Sequence, residues 1–316
     1  MQTFIKRLAV VTAIGMFIVL IQGSMVTTTG SAEGCGQSWP LCNGKFVPSY
    51  ALESMIEYSH RFVVGIISVM ITIVGLGALR YWRDRLEIKV FVGMMVAFIV
   101  IQSALGAAAV MWPQTPEIMA LHFGISLIAF ASVLLTAIFL YERDGRDKLR
   151  DVEIPRNLRL AVWGLMIYSY LAVYIGAYVR HKDASLACTD WPLCNGSVFP
   201  GFTGPVGIVF THRITAALIL FGVAGIIYWT MKYRESRPDL YRASLLAAVF
   251  VVLQGASGAV VVWSQLDFYA TMSHGMFVSL YFGALAYMCF HVLPRPEAAR
   301  ESTPAIDRQR AALPAD

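Results

Sequence analysis

Glu57, His60 and Arg61 stand together in the segment MIEYSHRFVVG, where an apolar run begins that continues to residue 79. A carboxylate three residues before an imidazole lies on the same helical face about one turn away, an arrangement suited to proton transfer or to orienting a bound molecule. His122, His212 and His274 occupy the starts of three later apolar runs. Ionisable side chains are costly in a hydrocarbon medium and mark function there, and neutral imidazole is the commonest metal ligand. No Asp, Glu or Cys lies within a turn of His122, His212 or His274, so the donors of a tetrahedral zinc site are missing. Paired imidazoles from facing helices suit a planar macrocycle held between apolar walls. Taken singly, each histidine also fits an interfacial side chain bonded to a carbonyl; His181 and His291, which lack counterparts, are read in that structural way.

Arg61 and Arg213 each follow a candidate ligand. They could pair with carboxylate substituents of such a macrocycle, the propionates in the case of a haem, or with lipid phosphate. Gly106, Ala107, Ala108 and Ala109, with Gly258 and Ala259, would let a flat ring approach the backbone or simply let helices pack. Four of the five cysteines form two pairs, Cys35 with Cys42 and Cys188 with Cys194, each flanking a Trp-Pro-Leu turn. Local disulfides suit these short spacings, and a structural staple and a redox role are both open. Neither spacing is C-x-x-C, so metal binding is the weaker alternative. Cys289, inside the last apolar run, reads as a small apolar filler.

The elements that must position these residues come in two copies. CGQSWPLCNG is matched by CTDWPLCNG, YSHRF by FTHRI, IQSALGA by LQGASGA, and MALHFGIS by TMSHGMFVS. Trp39 and Trp191, His60 and His212, Gln102 and Gln254, and His122 and His274 are each 152 residues apart. GSMV at 23 and GAYV at 176 continue the match one residue further apart, because the second cysteine loop is shorter by one. A constant offset over most of a half indicates a tandem duplication. Only the first copy has a carboxylate beside its histidine: the counterpart of Glu57 is Val209. Glu57 could cap the second helix, since acids favour helix N-termini; as a functional group it gives one of two equal pockets a different task.

Hydrophobic residues make up 57% of the 316 and charged residues only 14%, which is a membrane composition. Runs long enough to cross a hydrocarbon core occupy about 8–26, 60–79, 90–111, 118–140, 160–179, 208–230, 243–263 and 268–292. The expected fold is therefore all-α and integral to the membrane: eight transmembrane helices as two tandem four-helix bundles, related by a pseudo-two-fold axis along the membrane normal. The expected boundaries are an N-terminal half at 1–145, a cytoplasmic linker at 146–158, a C-terminal half at 159–293 and a disordered cytoplasmic tail at 294–316. The first run is read as a helix and not a signal peptide, because no small-residue cleavage site follows it and it has a counterpart inside the chain. Of the 25 lysines and arginines, 20 fall on one set of connections, which makes that side, with both termini, cytoplasmic. The cysteine loops then face an oxidising exterior, where disulfides persist. The net charge of +5 is accounted for by topology and anionic lipid, without nucleic acid.

With GCGQSWPLCNG, IEYSHRF, IMALHFGISLIAFASVLL, YSYLAVYIGAYVRH and SLACTDWPLC, the chain closely resembles the bacterial haem A synthases from about residue 5 to 292. The resemblance implies an enzyme of the cell membrane that oxidises the C8 methyl group of haem O to the formyl group of haem A. It implies that Glu57 is the catalytic carboxylate, that His60 and His122 hold the substrate haem, and that His212 and His274 hold a haem b cofactor. It implies disulfides Cys35–Cys42 and Cys188–Cys194, the first beside the active half. Implied partners are a haem O synthase as donor, cytochrome oxidase assembly as acceptor, and a quinone or other redox partner for the electrons. Three rival readings use the same residues. A non-catalytic dihaem electron-transfer protein leaves the Glu57/Val209 difference without a role; a quinone-linked thiol-disulfide oxidoreductase would call for C-x-x-C thiols; a haem transporter would call for helices broken at the midplane.

Overall fold

In the computed structural model the described residues are 1–48, 50–112, 115–149 and 152–294, without the side chains of 143–148. They form eight α-helices: α1 (Gln2–Thr28), α2 (Leu52–Trp82), α3 (Leu86–Met111), α4 (Pro116–Leu149), α5 (Arg156–His181), α6 (Gly204–Met231), α7 (Pro238–Trp263) and α8 (Phe268–His291), with a 3-10 turn at Ser31–Glu33. All eight are long and apolar enough to cross a membrane, and each satisfies its own backbone there. The chain is a multi-pass, all-helical membrane protein.

Several helices outrun their apolar runs. α2 begins at Leu52, eight residues before the expected start, and α4 continues through the charged segment ERDGRDKL to Leu149. Hydropathy registers only the stretch fit for lipid, whereas helix propagation continues into water wherever propensity allows. The linker expected at 146–158 therefore begins inside α4, and α5 starts at Arg156 rather than 159. Nearly all of the tail expected at 294–316 lies outside the described residues.

α1 packs on α2 and α4, and α3 bridges α2 and α4, closing one ring of four; α5, α6, α7 and α8 close a second ring with the same order of neighbours. The rings meet through α1 on α8, α4 on α5 and α4 on α8, so α4 and α8 are the most buried of the helices. One apolar core joins Met16, Ile71, Met95, Leu127 and Phe139 of the first ring; another joins Leu158, Val162, Leu240 and Leu285 of the second. Phe290 of α8 reaches across to Phe91 at 4.9 Å and Phe139 at 6.0 Å between ring centroids, edge contacts that add to plain area burial. At the opposite end of α8 from the candidate histidine, His291 is fully buried: its Nδ1 lies 3.0 Å from Asp239 Oδ2 and its ring stacks on Tyr287. Arg237 donates to both Asp239 oxygens and to the His291 carbonyl, pinning the start of α7 to the end of α8.

Candidate functional site

A cavity of about 1310 Å³ is lined by all eight helices in the half nearest the cysteine loops, and its wall includes Glu57, His60, Arg61, His122, His212, Arg213 and His274. This exceeds the ~300–1,000 Å³ of a pocket for one drug-sized molecule. Both cysteine loops reach it through Trp39 and Trp191, and the lining is mostly aliphatic, as a large apolar ligand requires.

The four histidines take matched places. His60 and His212 lie eight residues after the first residues of α2 and α6 (Leu52 and Gly204), and His122 and His274 six after those of α4 and α8 (Pro116 and Phe268). At 1.5 Å per residue these depths are about 12 and 9 Å. Each ring rests on a glycine of the preceding helix. A Cβ on Gly23, Gly106, Gly176 or Gly258 would stand 3.4, 3.4, 2.7 or 3.0 Å from the Cε1 of His60, His122, His212 or His274 respectively. A Cβ at 176 would force the ring to shift and one at 258 would press on it, while at 23 and 106 it would only touch. Gly106 and Gly258, small residues that suit either the approach of a flat ring or helix packing, face the imidazoles of His122 and His274.

Two glutamines that the sequence reading left without a role orient two of these rings. Gln254 Nε2 lies 3.0 Å from His274 Nε2, while His274 Nδ1 lies 3.1 Å from the Gln254 carbonyl. With Nδ1–H donating to that carbonyl, Nε2 keeps a lone pair, the tautomer an iron ligand needs. Gln102 Nε2 stands in the same relation to His122 Nε2, at 2.9 Å. The signal was available: each glutamine interrupts an apolar run at the shared offset of 152. The buried Nδ1 atoms of His60, His122 and His212 have no hydrogen-bond partner among the described residues, which marks them for a ligand or a rearrangement. Among the described residues no three His, Cys, Asp or Glu side chains converge as a metal site. The unpartnered Nδ1 of His212 and the lone pair left on His274 Nε2 are compatible with ligation of a haem iron.

Glu57 is only 4% exposed. Cys35 N–H donates to its Oε2 at 2.7 Å, and the Arg61 guanidinium is ion-paired with its Oε1. Arg61 also donates to the carbonyls of Ser38 at 2.8 Å and Leu41 at 3.0 Å. The acid in the first turn of α2 is Glu53 and the N-cap position is Ala51; Glu57 lies a turn further in and does not cap the helix. Cys35 is joined to Cys42 and Cys188 to Cys194. The two loops share a plan: Asn43 and Asn195 adopt φ of 50° and 52°, and the glycines after them 74° and 75°. Each asparagine side chain donates to the carbonyl of the residue before the first cysteine of its pair, Gly34 or Ala187. Where the first loop rests on Glu57, the second rests on Val209, packed with Cys188 and Cys194. Arg213 donates to the carbonyls of Leu193 and Cys188. In the second loop, backbone N–H groups of Gly196 and Asn195 hold the Asp190 carboxyl below its usual range.

His181, expected in a loop, is the last residue of α5 and lies on the cavity wall. Cys289 is buried and unpaired with sulfur, as a filler should be.

The profile of the COX15-CtaA family, described as "Cytochrome oxidase assembly protein", matches residues 6–286. The chain is 40% identical over 298 residues to the protein named Heme A synthase of Alkalihalophilus pseudofirmus, an alignment covering 94% of this chain and 99% of that one. It is 40% identical to the Heme A synthase of Geobacillus kaustophilus, over 91% of each chain. Against the Heme A synthase of Bacillus cereus strain G9842 it is 38% identical, over 91% of this chain and 93% of that one.

Proposed function

The chain belongs to the COX15-CtaA family of cytochrome oxidase assembly proteins, and from that premise we propose that it is a haem A synthase with one working half. The substrate is haem O, held by His60 and His122 in the half at 1–145; haem b is held by His212 and His274 in the half at 159–293. The observation that carries this reading is the difference beneath two like disulfide loops, a hydrogen-bonded carboxylate at 57 and a valine at 209.

Converting a methyl to a formyl group takes one water and releases four protons and four electrons. Glu57 lies on the cavity wall within a helical turn of His60, where it accepts protons as the C8 methyl is oxidised. Haem b, when bound, supplies one-electron transfer. The Gln254 carbonyl orients His274 for it, and the aliphatic cavity wall excludes bulk water from the substrate. Arg61 and Arg213 retain N–H donors beyond those used on the loops, and these serve the propionates. Both termini are cytoplasmic and both cysteine loops are outside, on the strength of the lysine and arginine distribution. Electrons pass to a quinone or other redox partner, haem O arrives from its synthase, and haem A leaves for cytochrome oxidase assembly.

Substitution separates the two sites. Glu57→Ala should leave the haem b spectrum intact and abolish haem A formation; His212→Ala should remove the resident haem b. Normal haem A production by the first variant would overturn the catalytic assignment.

A further inference from the structure

Resting on the reading of Glu57 as the working carboxylate, we propose that Arg61 is its positioning residue, one guanidinium holding Glu57 and the Cys35–Cys42 loop as a single unit. Both oxygens of Glu57 are engaged, one by Arg61 and the other by the backbone N–H of Cys35. Arg61 follows Glu57 by one helical turn and sends its other terminal nitrogen to two carbonyls inside the disulfide ring, Ser38 and Leu41. The ring is thus attached to the carboxylate twice, directly at Cys35 and through Arg61.

The second copy isolates what is special here. Arg213 also donates to its own loop, at Leu193, the counterpart of Leu41, and at Cys188; Val209 offers it no carboxylate from the helix, and the acid that acts on it is Asp190 of the exposed loop. Holding the loop is therefore common to both arginines, and Arg61 alone of the two has a buried carboxylate one turn before it on its own helix to fix. The Arg61 side chain is 13% exposed and that of Glu57 5%. Without the guanidinium, a buried carboxylate would lose its counter-charge and swing toward another partner or toward water. The planar fork matters, because it reaches the acid and two carbonyls together, which a lysine ammonium matches only in part.

A carboxylate displaced by about 1 Å can lose roughly 10²-fold in rate, whereas a lost contact to a haem propionate weakens binding. The full-length protein and its Arg61→Gln and Arg61→Lys variants would be compared in three measurements: haem O turnover, the visible haem spectrum, and infrared bands of Glu57 isolated by subtraction of Glu57→Gln. Arg61→Gln is expected to lower kcat about 10- to 100-fold, with a smaller rise in KM from the lost propionate contact, and to shift the Glu57 carboxylate bands. Arg61→Lys should recover much of kcat, with bands lying between those of the other two. A raised KM with unchanged kcat, or Glu57 bands identical to the parent's, would overturn the proposal. Should Arg61→Gln fail to retain haem, the bands of Arg61→Lys decide: displaced from the parent's they support it, coincident with them they refute it. If the parent itself converts no haem O, the functional reading fails, while the infrared comparison still determines whether Arg61 fixes Glu57.

Discussion

The histidine-on-glycine contact makes the site testable one atom at a time. Gly176→Ala sets a methyl 2.7 Å from His212 Cε1, closer than carbon atoms approach without displacement, so the ring must move. Haem b content of purified Gly176→Ala should fall severalfold, and Gly23→Ala, with its methyl 3.4 Å from His60, should disturb the first site much less. Equal haem loss in both variants would separate the cradle from ligation. That the four histidines and Glu57 line one cavity was legible in the sequence, because duplication repeats the histidines and leaves a carboxylate beside only one of them. The partners of Glu57 were not legible: Cys35 lies 22 residues away and donates through its backbone, which leaves no mark on residue type. Arg61 stands out in the sequence because it follows His60, yet its contacts depend on where the loop folds back.

Among the elements, the two disulfide loops have a common frame and unequal neighbours. Cys35 carries the N–H that Glu57 accepts, whereas Cys188 and Cys194 meet valine. Replacing Cys35 and Cys42 together by Ser should therefore reduce haem O turnover at least tenfold more than the same change at Cys188 and Cys194, by loss of carboxylate placement; equal effects would contradict the asymmetry. At the other end of the helices, Arg237, Asp239 and His291 form a buried cluster. Asp239→Ala leaves the Arg237 charge without its partner, a loss of about 3–5 kcal/mol for a buried pair, and thermal unfolding in detergent should register it without a change in the chemistry of Glu57. Helix number and order were readable from apolar runs. Helix ends were not, because hydropathy stops at the lipid boundary while the hydrogen-bonded backbone of α2 and α4 continues.

At the scale of the molecule, two four-helix rings meet along α1, α4, α5 and α8 and enclose one continuous cavity that carries all four histidines. Sequence offsets lead to an expectation of two equal units, but a cavity lined by all eight helices depends on tertiary packing and has no periodic trace. The account requires two haem sites of different character within that cavity, one turning over and one resident. The measurement that tests this most directly is haem extraction and chromatography of the purified protein from cells that make haem O and from cells that do not. The account predicts haem b alone in the second case, joined in the first by haem O, haem A or its hydroxylated precursor. Two equivalents of haem b under both conditions, with no conversion, would contradict it.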